Sequence, residues 1–140
     1  MEHPWEATCA RDQADAPTGI LLSRDLIFTS KVTGTARSLG YCVLTAGDKA
    51  SALVMIDRWH PRVLFLDLTD EDLTSSESLQ VYRKHTGPST AFLAFGPHVD
   101  TARLARARNA GCDLVMPRSE FSGHLPEIIR RWFSETIVQG

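Results

Sequence analysis

Three side chains that could take part in chemistry follow short apolar runs in this chain. Asp67 ends the apolar run 63–66, and His98 stands in the loop after the run 90–95. Arg118 follows a third such run. A carboxylate can act as a nucleophile, an imidazole can carry protons, and a guanidinium can bind an anion in two-point geometry. If these runs are strands of one sheet, one interpretation is a small α/β enzyme or ligand-binding site at the strand ends.

Other sequence features give an enzyme little support. The chain has no Gly-rich phosphate loop, no nucleophile elbow and no cluster with metal-ligand spacing. Its three cysteines, Cys9, Cys42 and Cys112, are widely spaced, which argues against zinc ribbons and thioredoxin-like redox motifs. We therefore expect no enzymatic activity.

Composition indicates a globular protein with no obvious charged or apolar partner. The 140 residues are 43% hydrophobic and 23% charged, with a formal net charge of −2. This balance predicts neither nucleic-acid nor membrane binding. No apolar run approaches the ~20 residues that span a bilayer, and the acidic N-terminus lacks the apolar segment of a signal peptide. We therefore expect a cytoplasmic protein.

The chain divides into a short leader and one domain. Residues 1–18 contain Pro4 and Pro17, several charges and little periodicity, which is typical of a flexible N-terminal leader. The remainder, 19–138, is long enough for one compact domain and too short for two. Within it, five apolar segments alternate with five helical patterns. The predicted strands are 19–23, 41–45, 61–67, 90–95 and 113–116, and the last helix is predicted to begin with Ser119 as its cap and to extend to Ile137.

The alternation of strands and helices predicts the fold class. Strands joined through helices form right-handed crossover units and hence a parallel sheet. The run 63–66 is apolar at every position, which is typical of a strand buried on both faces. The predicted fold is a three-layer α/β/α sandwich with a doubly wound, five-stranded parallel sheet of the flavodoxin-like type. Ligands of such sheets gather at the carboxyl ends of the strands, where Asp67 lies.

In order and length of elements, residues 19–138 resemble the receiver domain of two-component response regulators. Residues 61–67, Pro-Arg-Val-Leu-Phe-Leu-Asp, look like the family's third strand with its phosphoacceptor aspartate. Residues 110–113, Ala-Gly-Cys-Asp, are similar to the Ala-Gly-Ala-Asp that precedes the family's fifth strand. The resemblance makes Asp67 the candidate phosphoacceptor, with a histidine kinase as its possible donor.

The residues around that aspartate depart from the family pattern. An acidic pair after the first strand normally holds Mg²⁺, whereas this chain has Ser-Arg-Asp at 23–25. At most Asp25 is retained, and Arg24 would place a cation where the metal belongs. The Ser or Thr that ends the family's fourth strand corresponds to Phe95, and the Lys that ends the fifth corresponds to Arg118. The predicted pocket therefore comprises Arg24, Asp25, Asp67, Phe95, His98 and Arg118.

Two functional hypotheses follow from these departures. In the first, the chain is a stand-alone, degenerate receiver, a pseudo-receiver in which Asp67 and a nearby arginine form a fixed ion pair, so no cofactor is needed. In the second, Asp67 accepts a phosphoryl group from a histidine kinase, and Mg²⁺ is held by Asp25 and Asp67. His98 is either an acid–base or ligand-contact residue or an ordinary residue at a helix start.

The resemblance also implies where a partner would bind. The family uses its fourth helix, fifth strand and fifth helix for dimers and effectors. Those helices carry several arginines here, which form either a partner face or a simple solvated surface. The partner-face candidates are Arg103, Arg106, Arg130 and Arg131.

Overall fold

A computed structural model describes residues 18–134 of the chain. The predicted leader lies outside the described residues, except for Thr18, which already belongs to the first strand. The end of the predicted last helix, including Ile137, also lies outside them.

Five parallel strands form one sheet in the order β2-β1-β3-β4-β5. This arrangement confirms the doubly wound α/β sandwich that the alternation of elements predicts. The strands are β1 (Thr18–Leu22), β2 (Cys42–Ala46), β3 (Val63–Asp67), β4 (Ala91–Gly96) and β5 (Leu114–Pro117). The helices are α1 (Leu26–Ser38), α2 (Lys49–Trp59), α3 (Ser76–Thr86), α4 (Thr101–Asn109), α5 (Arg118–Gly123) and α6 (Leu125–Phe133).

The central strand β3 is buried along its whole length and divides the core into two layers. Leu64 and Leu66 pack into one layer, with α2, α3 and α4. Val63 and Phe65 pack into the other, which α1, α5 and α6 cover. Successive side chains of a strand point to opposite faces, so an apolar residue is needed at every position.

The layer beneath α1, α5 and α6 is rich in aromatic rings. Phe95 stacks on Phe121 with ring centroids 4.4 Å apart, and Phe28 lies 4.9 Å from Phe95. Gly19 of β1 permits the close approach of Phe133, because an added Cβ would lie only 2.5 Å from that ring. These contacts fix the start of α1 and the α5 segment against the sheet.

The predicted single last helix is wrong, because it is divided into α5 and α6 at His124. Pro126 stands in the first turn of α6, where its missing N–H costs nothing, whereas it could not continue a helix from α5. Ser119 is not the cap: α5 begins at Arg118, after Pro117, and has no side-chain cap bond. The helix therefore begins at Arg118, two residues before the start that a cap at Ser119 implies.

Two other helices begin with an aspartate cap, a residue type favoured at that position. The Asp25 side chain caps α1 by accepting a hydrogen bond from the Phe28 N–H, and Asp48 caps α2 through Ser51. These caps place both loops at the carboxyl edge of the sheet, beside the ends of β1 and β2. None of the helices within residues 18–134 has the length and apolar character that crossing a membrane requires.

Candidate functional site

Asp67 is buried at the carboxyl end of β3, and its side chain is only 2% exposed. The Ser23 hydroxyl donates a hydrogen bond to Oδ2 over 2.7 Å. The Thr69 backbone N–H donates to Oδ1 over 3.1 Å. A buried carboxylate needs such donors because the protein interior solvates charge poorly. Both oxygens of Asp67 are therefore engaged within the fold.

Arg118 places a cation between two carboxylates at this edge. Its Nη2 atom lies 2.8 Å from Asp25 Oδ2 and 3.7 Å from Asp67 Oδ2. The guanidinium also lies over the Phe28 ring, 4.2 Å from its centroid. The Phe28 N–H, and after it Arg118, lower the pKa of the Asp25 carboxyl from its ordinary value. Ser23, Asp25, Asp67 and Arg118 form what we call the Asp67 network.

The residues present do not fit a Mg²⁺ ion. The ion prefers an octahedral set of oxygens and usually takes one or two carboxylates. Asp25 already accepts bonds from a backbone N–H and from Arg118, and both Asp67 oxygens accept hydrogen bonds. Within residues 18–134, no three His, Cys, Asp or Glu residues are grouped as a metal site. A fixed guanidinium beside both carboxylates would repel a divalent cation.

Arg24, which the sequence places in the pocket, turns away from Asp67. Its Nη1 and Nη2 atoms bind both oxygens of Asp72 at 3.1 Å, and its Nε donates to the Gly47 carbonyl over 2.7 Å. Its backbone N–H donates to Asp70. The expectation that Arg24 takes the metal position is therefore corrected: this arginine joins the β2–α2 and β3–α3 loops.

Phe95 is paired with Asp67 in register but contributes nothing polar to it. Its ring is fully buried in the aromatic layer, and the next residue, Gly96, has no side chain. The end of β4 therefore supplies no hydroxyl, which corrects the inclusion of Phe95 in the pocket.

Ser23 is the member of the Asp67 network that the sequence reasoning missed. Ser23 directly follows β1, and its hydroxyl reaches Asp67 because β1 lies beside β3 in the sheet. The available signal was a hydroxyl residue at the end of a strand that the doubly wound order places next to β3.

His98 does not join Asp67. It is exposed in the β4–α4 loop and makes no hydrogen bond with residues 18–134. It lines a cleft of about 400 Å³ together with Phe28, Pro97, Arg118, Ser119 and Ser122.

The predicted partner-face arginines divide into two kinds. The Arg103 guanidinium donates to the Leu68 carbonyl over 2.9 Å and pairs with Glu71. This side chain fastens α4 to the loop that follows Asp67, and its part in a partner face stays a prediction. The remaining candidates are exposed: Arg106, Arg130 and Arg131.

Comparison with known proteins adds structural neighbours only. No family model matches the chain, and no curated protein matches it in sequence. A response regulator from Thermotoga maritima superposes with a TM-score of 0.73 at 18% identity, covering 86% of this chain and 99% of that one. A CheY-like receiver domain from Methanospirillum hungatei gives 0.75 at 17% identity, covering 90% and 100%.

A third neighbour was solved together with its signalling partner. It is the receiver domain of a Saccharomyces cerevisiae response regulator in complex with a histidine phosphotransfer signaling protein. It gives a TM-score of 0.69 at 14% identity, covering 84% of this chain and 89% of that one. The strand order, the position of Asp67 and these superpositions agree: the chain has the fold of response-regulator receiver domains.

Proposed function

We propose that this chain is a receiver-like signalling domain that has lost the ordinary phosphorylation switch and acts, without catalysis, by docking to a protein partner or to a second copy. The burial of Asp67 carries the proposal. Its side chain is 2% exposed, and Ser23 and Thr69 occupy both carboxylate oxygens. A cytoplasmic location is part of this proposal.

The Asp67 network opposes phosphoryl transfer for two physical reasons. An incoming phosphoryl group must reach a carboxylate oxygen in line, and Oδ2 is held by Ser23 with Arg118 at 3.7 Å. The charge that develops on the phosphoryl group is normally neutralised by a metal ion. Here Arg118 is the available cation, and it is already shared with Asp25. The network resembles a completed ion pair more than an empty acceptor site.

The face formed by α4, β5 and α6 is suited to a partner with an acidic surface. Strand β5 is an edge of the sheet, and all four of its residues are partly exposed, whereas the opposite edge strand β2 is mostly buried. Helix α4 carries the exposed Arg106, and α6 carries the exposed Arg130 and Arg131. Opposite charge steers association and selects partners.

The first test is a titration with Mg²⁺ and then with Mg²⁺ and beryllofluoride, a phosphoryl mimic, followed by amide NMR shifts around Asp67. We expect no saturable response at millimolar Mg²⁺. Saturable shifts at Thr69 that disappear in Asp67→Asn but persist in Asp72→Asn would contradict the proposal. Asp72→Asn is the matched control because it changes an exposed carboxylate of the neighbouring loop.

The docking role is tested separately by charge reversal. If a second copy is the partner, sedimentation velocity of the wild-type chain will show a concentration-dependent dimer. If the arginines face acidic residues of the second copy, Arg106→Glu combined with Arg130→Glu should weaken that dimer, and added salt should weaken it too. Arg37→Glu, on the exposed side of α1, is the control. A dimer unaffected by the double reversal would exclude this face.

A working phosphoacceptor remains the second candidate because of one observation. Asp67 ends the central strand at the carboxyl edge, with a hydroxyl and a guanidinium within reach of Oδ2. Both could donate to a phosphoryl oxygen if Asp67 became accessible, with a histidine kinase as the donor. Incubation with acetyl phosphate and Mg²⁺, followed by intact mass spectrometry, distinguishes the candidates. A phosphorylated species that Asp67→Asn abolishes would favour the second.

A further inference from the structure

The cleft beside Arg118 has the size and composition of a small-ligand site. Its volume is about 400 Å³, within the usual range for pockets that bind small organic molecules. It also lies at the carboxyl edge of the sheet, where doubly wound folds bind ligands. Phe28 and Pro97 supply the apolar part of the lining. The other lining residues are polar: His98, Arg118, Ser119 and Ser122.

The polar groups of the cleft are mainly hydrogen-bond donors. Arg118 uses Nη2 for Asp25, while its Nε and Nη1 atoms make no hydrogen bond with residues 18–134. A second cation stands at the wall, because the Lys31 ammonium donates to the Ser122 hydroxyl. The hydroxyl of Ser119 and the exposed imidazole of His98 add further donors.

Asp25 and Asp67 take only the Nη2 donor of Arg118, although they share its charge, and Lys31 adds a second cation beside the cleft. Asp25 accepts from the Phe28 N–H at one oxygen and from Arg118 at the other. Asp67 lies beneath, buried, with both oxygens engaged. The unused donors therefore face a space that an acceptor-rich group from outside can occupy. Three exposed apolar side chains are next to lining residues in the chain: Leu26 and Ile27 precede Phe28, and Val99 follows His98.

We propose that this cleft binds a small organic anion in which a carboxylate is attached to one or two aromatic rings. The ring lies against Pro97 and the small exposed edge of Phe28, whose face Arg118 covers. The carboxylate accepts from Arg118 and the serine hydroxyls. The proposal goes beyond the docking function and does not rest on it. A protein segment is the competing occupant of the same surface, and the test separates the two.

The test titrates the full chain, labelled with ¹⁵N, with 2-naphthoate, its uncharged analogue 2-naphthamide, and acetate. We expect 2-naphthoate to shift the amides of Lys31, His98, Ser119 and Ser122 saturably, with a Kd on the order of 1 mM. The amide analogue should bind about tenfold more weakly, because it lacks charge-assisted hydrogen bonds. Acetate, which lacks the ring, should give no saturable shift.

A charge-placement variant makes the test specific to the cleft. His98→Asp puts a carboxylate on an exposed wall, with no buried contact to lose, and should weaken 2-naphthoate about fivefold by repulsion. His60→Asp is the matched control. His60 is also exposed, but it precedes β3 and so lies at the amino ends of the strands, away from the cleft. Its φ of 49° is one that aspartate tolerates. It should leave the affinity unchanged.

Three outcomes would overturn the proposal. They are equal affinity for 2-naphthoate and 2-naphthamide, equal effects of the two histidine variants, or no saturable shift at these amides with any of the three compounds. In the last case a protein segment would be the remaining candidate occupant of this surface. None of these results bears on the beryllofluoride response of Asp67, so the two proposals fail independently.

Discussion

Two arginines at the carboxyl ends of the strands form ion pairs that differ in burial. The Arg118 side chain is 29% exposed, and its partner Asp67 is 2% exposed. The Arg24 side chain is 46% exposed, and its partner Asp72 is 71% exposed. Both pairs join separate loops, and the Arg24 pair has the better two-point geometry, with both contacts at 3.1 Å.

Burial, more than contact geometry, should decide how much each ion pair contributes to stability. Water and salt screen an exposed pair, and the ordering of two long side chains offsets much of its attraction. A buried carboxylate has lost its hydration, so its protein partners must replace it. Removal of one partner should therefore matter far more in the Asp67 network than around Arg24.

Replacement of the buried carboxylate should have the largest effect. Asp67→Ala leaves the Ser23 hydroxyl and the Thr69 N–H without their acceptor and opens a small void. We expect the free energy of unfolding to fall by about 2–4 kcal/mol. Urea denaturation followed by circular dichroism measures this, with Asp72→Ala as the control, which should not change the midpoint. Equal effects of the two variants would invalidate the comparison.

Loss of the Ser23 hydroxyl should have an intermediate effect. Ser23→Ala removes the buried 2.7 Å hydrogen bond to Oδ2 and the 3.2 Å hydrogen bond that the hydroxyl accepts from the Asp25 N–H. The Thr69 N–H remains as a donor to Asp67. We expect a loss of about 1–2 kcal/mol, measured by the same denaturation. Ser38→Ala, which removes an exposed hydroxyl at the end of α1, is the control and should be silent. A silent Ser23→Ala would mean that water replaces the hydroxyl at no cost.

Asp25 should make stability depend on pH, with a smaller effect than either substitution above. Its pKa is lowered in the folded state, by the Phe28 N–H first and by Arg118 next. Its contribution to stability is thus present above the unfolded pKa, about 4, and is lost as pH falls through the folded pKa. In Arg118→Gln, carboxyl ¹³C NMR should show a raised pKa that stays below the ordinary value. An unchanged pKa would exclude the Arg118 contribution.

Arg24→Ala should have the smallest effect on global unfolding, with no measurable change in the urea midpoint. Because Arg24 contacts both Gly47 and Asp72, its loss should instead loosen the β3–α3 loop. We expect amide hydrogen exchange at Leu73 and Thr74 to accelerate severalfold while the β3 amides keep their rates. Acceleration in both places would indicate that Arg24 supports the sheet itself.

Much of the fold was predictable because local patterns decide it. The apolar run 63–66 predicts a doubly buried strand, which the structure confirms. The caps of α1 and α2 are likewise local, since each aspartate accepts from a backbone N–H three residues later. The division of the last helix was also readable in principle, since Pro126 cannot continue a helix. The strong apolar periodicity across 121–133 outweighed that signal.

The candidate site was less predictable, because side-chain partners depend on contacts across the sheet. The sequence alone indicated that Asp67 ends a doubly buried strand. Through the resemblance to receiver domains it also indicated that the acid pair and the strand-end hydroxyl of that family have no counterpart here. Only the tertiary structure decided that Ser23 binds Asp67, that Arg118 approaches it, and that Arg24 turns to Asp72. The physical reason is range: strand and cap signals act within a few residues, whereas these partners are 44 or more positions apart and are selected by strand order, burial and competing charges.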